Sequence, residues 1–369
     1  MPDIKKTRIS VLPLLSLEIS VATFLDPKTQ EFVPMDISKK WITEKYAQSV
    51  FGDWCYPLKL AVAMCEQVVV EENVDKVIGL NSNVCKYPLV MGDMNKWIKK
   101  DFEYFPLTTN NLYPDTGFLQ SFFSQVKKIN PNLSRHEFIT RTALAYKRLD
   151  LAKRLNKAYF SSLPLVKDAR VLKTVYGKAR LDLIIALTIE ESERVVKEFE
   201  AYSKKSRMQK KPKHKILLTG DFATMMLEFP LFDLEVFLGK HGVEIINPTS
   251  PSNYYEQNYS SYAKKAREIL SAEFSNKNIK NRAEDKHLIE IVTLYKLLKG
   301  VDEGIDGILY LKPIMCSPCD NVAYIIKKNN TFGKPLLEIT YDEHSGTNGI
   351  VTRLEAFMNI LEELNGKKK

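Results

Sequence analysis

Five cysteines, Cys55, Cys65, Cys85, Cys316 and Cys319, are the residues of this chain best suited to chemistry. Cys55 precedes Tyr56-Pro57, Cys85 precedes Lys86-Tyr87-Pro88, and Cys316-Ser317-Pro318-Cys319 forms a C-x-x-C. An odd, sparse set in a long chain does not read as a disulfide framework, so metal binding or redox chemistry is the better expectation. Taken alone, the C-x-x-C allows a zinc half-site, a thioredoxin-like redox pair or cluster ligation. A zinc ribbon would want a second C-x-x-C, and the sequence holds none. The candidate ligands are thiols rather than histidines, a set that suits an iron–sulfur cluster better than a catalytic zinc, because soft thiolates favour such clusters. Cys55 and Cys316 both stand where a helix should begin, and helix N-termini favour the thiolate and offset negative charge. Cys65, inside Leu60-Ala61-Val62-Ala63-Met64-Cys65, reads instead as a packed core thiol.

Positioning these turns requires strands and helices in alternation. Arg8 to Leu15 reads as a first strand and its exit turn, residues 58–71 as a helix, and Lys76-Val77-Ile78-Gly79-Leu80-Asn81 as a buried strand. Strand, cysteine turn and helix in succession are the rhythm of a doubly wound domain, whose ligands gather at the carboxyl ends of strands. Residues 115–208 turn mostly helical. Ser134 and Glu137 form a capping box there, and residues 184–202 read as one charged amphipathic helix. A basic stretch over 204–215 reads as a linker closed by Pro212. Beyond it, strands are expected at 215–221, 243–248, 307–311 and 334–341, with helices at 232–241, 259–298 and 352–364. The chain is therefore expected to form an α/β protein of two Rossmann-like domains with parallel sheets and a helical insertion between them. The expected divisions are 1–114 with Cys55 and Cys85, 115–211 as helical region and linker, and 212–369 with Cys316.

With 369 residues, two domains are the default. No apolar run reaches 18 residues, so no transmembrane helix is expected, and the N-terminus lacks a signal-peptide cleavage site. A cytoplasmic location follows as an expectation. The net charge of +9 lies largely in 204–215 and the terminal lysines, without interleaved aromatics, which speaks against nucleic acid. No Walker A or G-x-G-x-x-G motif is present, so ATP hydrolysis by this chain is not expected.

The C-terminal stretch adds a more specific signal. Tyr341-Asp342-Glu343-His344-Ser345-Gly346, followed by Thr352-Arg353-Leu354-Glu355-Ala356-Phe357, resembles the D-E-H-x-G…T-R-x-E-A-F signature of activase-associated proteins of the 2-hydroxyacyl-CoA dehydratase superfamily, alongside the dehydratase D-component and double-cubane-cluster proteins. Cys55-Tyr56-Pro57-Leu58-Lys59 is similar to that family's C-x-P-x-K. Lys312-Pro313-Ile314-Met315-Cys316-Ser317-Pro318 is similar to its P-x-x-C-x-P, and Ile216 to Asp221 to its strand-Gly-acid turn. The resemblance covers nearly the whole chain, with its parts in order. It implies a 4Fe-4S or double-cubane cluster held by Cys55, Cys85 and Cys316. Where some relatives have a C-x-x-C, this chain reads Ser82-Asn83-Val84-Cys85, so Cys319 or an exogenous group could supply a fourth ligand.

Glu343 and His344 invite an acid/base reading, His344 because histidine titrates near neutrality. The alternative is structural: a strand-end turn and capped helix, with Arg353 paired to Asp342 or Glu343. In that reading Asp342, Arg353 and Glu355 orient the cluster loops. Arg353 could instead bind a phosphate or carboxylate bidentately. The resemblance further implies a separate ATP-dependent activase of the actin-like ATPase fold as partner, an oxygen-sensitive homo- or hetero-dimer, and reductive or dehydratase chemistry. Alternatives are a non-catalytic electron-transfer or accessory protein, and a scaffold or zinc-bearing binding module.

Overall fold

A computed structural model of the chain describes residues 5–12, 17–35, 55–81, 98–108, 116–208, 211–221, 233–246, 260–274, 288–342 and 345–366. The first part is built from β1 (Thr7–Val11), α1 (Leu17–Phe24), β2 (Gln30–Phe32), α2 (Tyr56–Val70), β3 (Lys76–Asn81) and β4 (Glu103–Thr108). Helices α3 (Thr116–Ile129), α4 (Arg135–Ser162), α5 (Ala169–Ile185) and α6 (Ile189–Lys205) follow. The last part holds β5 (His214–Gly220), α7 (Leu234–Lys240), β6 (Val243–Ile246), α8 (Ser261–Glu273), α9 (Leu288–Asp302), β7 (Gly307–Pro313), α10 (Ser317–Lys328), β8 (Leu336–Tyr341) and α11 (Thr347–Gly366).

Each part forms a four-stranded, all-parallel sheet, ordered β2-β1-β3-β4 and β6-β5-β7-β8. The expected α/β class with two Rossmann-like sheets is what the chain forms. The two sheets share one topology, a repeat that the residue identities do not display. In both, the strand order reverses between the first and third strands, the place where open sheets of this kind bind their ligands.

Alternation along the strands sorts the second sheet's faces. Leu217, Ile308 and Tyr310 pack under α8, α9 and α10. Ile216, Leu218, Leu309, Leu311 and Tyr341 point the other way, into a cluster that also takes in α2, α4 and α11. That cluster is continuous from the helix behind Cys55 to the second sheet.

Two expected helices divide. The 184–202 segment breaks at Ala186, and a second capping box restarts the chain, with Thr188 Oγ1 accepting from Glu191 N–H. Thr188 and Glu191 have the spacing of a helix start, which the charged periodicity on either side conceals. The 259–298 segment is described as α8 and α9, with 275–287 outside the described residues. The basic stretch is also tied down at its start. Helix α6 runs to Lys205, the Met208 N–H donates to the Leu165 carbonyl, and Arg207 Nη2 donates to Ser162 Oγ.

One buried cation locks the helical region to the first part. Arg148 on α4 is 2% exposed, and burial pushes its guanidinium down to about 10. Its Nη2 donates to the Leu183 and Ile184 carbonyls at the end of α5, and Nη1 donates to Thr23 Oγ1 on α1. Helix-end carbonyls have no intrahelical donor, so the fork satisfies groups that burial would otherwise orphan. Arg148→Met is expected to cost about 3 kcal/mol in urea unfolding, with Arg148→Lys restoring only part, since an ammonium cannot reproduce the planar fork.

Lys296 on α9 is buried, and desolvation pushes its amine down to about 7 from an ordinary 10.5. Below pH 10.5 the unfolded chain holds this proton more firmly than the folded one does. The penalty on folding therefore grows as the pH falls from 10.5 to about 7 and is constant below that. Relative to the wild type, Lys296→Met should gain on the order of 2–4 kcal/mol of stability as the pH falls from 10 to 7. Urea midpoints of both proteins at the two pH values read this out.

Candidate functional site

The carboxyl edge of the second sheet gathers the chemistry. Strand β5 ends in Gly220-Asp221, and the Asp221 N–H donates to the Leu311 carbonyl of β7 at 2.9 Å. Gly220 has φ +128°, and a Cβ there would lie 1.9 Å from the Leu311 carbonyl oxygen. Only glycine allows this turn, which sets Asp221 at the strand end. Asp221 is buried and accepts a hydrogen bond from the Tyr341 hydroxyl at 3.2 Å.

From the end of β7 the chain passes Ile314 and Met315 to Cys316, the residue that starts α10. Met315 adopts φ +66° and is exposed, an uncommon conformation for a side chain with a Cβ. Cys316 has extended backbone, Pro318 stands in the first turn, and the cysteine side chain makes no capping hydrogen bond. It is half-buried, whereas Cys319, one turn on, is 1% exposed among the side chains beneath α10. Their Sγ atoms are 3.2 Å apart, and the Tyr310 hydroxyl donates to the Cys319 carbonyl at 2.8 Å. Contact with the Cys316 sulfur, reinforced by burial, holds the Cys319 thiol protonated well above the ordinary thiol range.

Cys55 starts α2 in the same manner, with extended backbone, proline in the first turn and no side-chain cap. Its neighbour Tyr56 carries the link between the parts. The Tyr56 ring meets the Tyr341 ring edge-on, with centroids 6.2 Å apart. The Tyr341 carbonyl accepts from the Ile314 N–H, two residues before Cys316. Two cysteine-bearing helix starts, from distant parts of the chain, are thus joined through one tyrosine.

The remaining candidates divide. Cys65 is fully buried in α2, and burial pushes its thiol up, as expected of a core residue. Cys85, Ser82, Glu343 and His344 lie outside the described residues. In the sequence Cys85 comes four residues after Asn81, the last residue of β3. Among the described residues, no group of three or more His, Cys, Asp or Glu side chains could hold a metal ion.

Ser345 Oγ accepts from the Asp342 N–H and donates to Asp342 Oδ1, each at 2.9 Å, which closes the turn into α11. Arg353 donates to the Glu338 backbone carbonyl, and the expected pairing with Glu343 lies outside the described residues. Glu355 is solvent-exposed on α11. Beside the site, Lys312 bridges Asp320 at 2.6 Å and Glu338 at 3.2 Å, and Lys327 also pairs with Glu338 at 2.8 Å. Burial raises the Glu338 carboxyl, but these lysines outweigh it and hold the group below its ordinary range.

Tyr56, Tyr310 and Tyr341 are the contributors that sequence reasoning missed. Their signal was position alone: Tyr56 beside a cysteine, Tyr310 in the middle of β7 and Tyr341 at the end of β8.

No family model matches the chain, and no curated protein does. Among the described residues no helix is long and apolar enough to cross a membrane.

Proposed function

We propose that this protein is an iron–sulfur protein of the 2-hydroxyacyl-CoA dehydratase superfamily, taking low-potential electrons from a separate ATP-dependent activase for reductive or dehydratase chemistry. The activase would be of the actin-like ATPase fold, and the working unit a homo- or hetero-dimer. The observation that carries this reading is the meeting of the Cys55 and Cys316 helix starts through Tyr56 and Tyr341.

The donor set fits a thiolate-bound cluster. Cys55 and Cys316 are half-buried cysteines that do not cap their helices, and each faces the positive end of a helix that favours a thiolate. With Cys85 they would hold a 4Fe-4S or double-cubane cluster, which supplies one-electron chemistry when bound. Cys319 fits less well. Its sulfur lies against that of Cys316 and is buried beneath α10, whereas Cys55 and Cys316 are half-buried. The neighbouring side chains have definable work. Tyr56 packs edge-on against Tyr341 within the continuous core, and Asp221 accepts the hydrogen bond of the Tyr341 hydroxyl.

Anaerobic purification of the full chain, with iron and acid-labile sulfide analysis and EPR after reduction, tests this reading. Iron and sulfide in equal amounts with a reduced-cluster signal are expected. A colourless, iron-free protein would sink it. Zinc without sulfide would favour the zinc-bearing alternative.

A further inference from the structure

We infer that Cys316 and Cys319 form a reversible dithiol–disulfide site, in which Cys316 meets an external disulfide and Cys319 resolves the mixed product. Three observations carry this. The two sulfurs are already 3.2 Å apart, so closure asks for a displacement of about 1 Å to reach the roughly 2.05 Å of a disulfide. Cys316 is the N-cap of α10 and Cys319 lies one turn on, so both sulfurs stand on the same side of the helix start. The two thiols also differ in access. Cys316 is half-buried and reachable from solvent, while Cys319 is 1% exposed and touches Cys316.

Access dictates the order of steps. A low-molecular-weight disulfide, such as oxidised glutathione, exchanges first with the Cys316 thiolate, forming a mixed disulfide and releasing one thiol. Cys319 then attacks the Cys316 sulfur, expels the second glutathione thiolate and gives it the proton. In sum, two protein thiols are oxidised to one disulfide, and the external disulfide is reduced to two thiols. Closure needs little disturbance of the fold. Pro318 fixes the first turn, and the Tyr310 hydroxyl holds the Cys319 carbonyl.

Closure would also remove Cys316 from any ligand set. That consequence rests on the cluster reading, but disulfide formation does not. Oxidised glutathione is added to metal-free full-length protein, free thiols are trapped with an alkylating agent, and the products are mapped by mass spectrometry. The wild type is expected to lose two hydrogens in the peptide containing 316–319, with only a transient glutathione adduct. Cys319→Ser and Cys319→Ala should instead keep glutathione on Cys316, with an adduct roughly a hundredfold longer-lived, because the neighbouring thiol acts at very high effective concentration. Cys316→Ser should take up no glutathione at Cys319. A wild-type adduct as long-lived as that of the Cys319 variants, or full alkylation of both thiols after oxidation, would overturn the inference. Iron content of separate anaerobic preparations reports on the cluster reading alone, so either reading can fail without the other.

Discussion

Gly220→Ala is expected to destabilise the protein by more than about 3 kcal/mol and to dismantle the Asp221–Tyr341 contact. Two independent costs combine. The backbone at φ +128° is one that an L-residue rarely adopts, worth about 1–3 kcal/mol by itself. The added methyl would also lie 1.9 Å from the Leu311 carbonyl oxygen, which is backbone of the neighbouring strand and cannot swing aside. Relief requires β5 and β7 to separate at their carboxyl ends. Gly220 pairs with Leu311 in the ladder, and Asp221 bonds to the same carbonyl, so both contacts go together. Gly177 supplies the control. It lies within α5, where an added methyl group would meet no heavy atom within 4 Å, and Gly177→Ala should stabilise by about 0.5–1 kcal/mol through helix propensity. Urea midpoints that moved in the same direction for both variants would contradict the strain argument.

The parts of this fold legible in the sequence are those where a local rule acts alone. Lys76 to Asn81 is a strand with the expected limits because its apolar run is short and bounded by turn residues. Cys55 and Cys316 start helices because proline inside the first turn permits continuation in only one direction. Non-local contacts were not legible. Tyr56 and Tyr341 stand far apart in the chain, and nothing in either neighbourhood indicates that their rings meet. The shared strand order of the two sheets escaped for a further reason. Topology constrains hydrophobic alternation and crossover length, and these leave residue identity nearly free.

Cys55→Ser and Cys316→Ser are each expected to remove most of the iron and sulfide from the anaerobically prepared protein, while Cys65→Ser and Cys319→Ala retain it. Serine oxygen is a hard donor that stays protonated near neutrality, and it replaces a soft thiolate poorly at iron. At both positions the substitution also separates ligand loss from unfolding. Cys55 and Cys316 occupy helix N-cap positions with extended backbone, and neither side chain caps its helix. Serine is among the preferred residues at that position, because its hydroxyl oxygen accepts from the free N–H groups of the first turn. The metal-free variants should therefore unfold at the same urea concentration as the metal-free wild type or higher, by up to about 1 kcal/mol. Iron loss with an unchanged or raised midpoint assigns the role to the sulfur rather than to the fold. Cys319→Ala runs the other way: burial makes it cost about 1 kcal/mol of stability through the lost side-chain contacts, yet its iron content should hold. Iron retained in both serine variants would remove these two helix starts from the cluster site, whatever the stability of the chains.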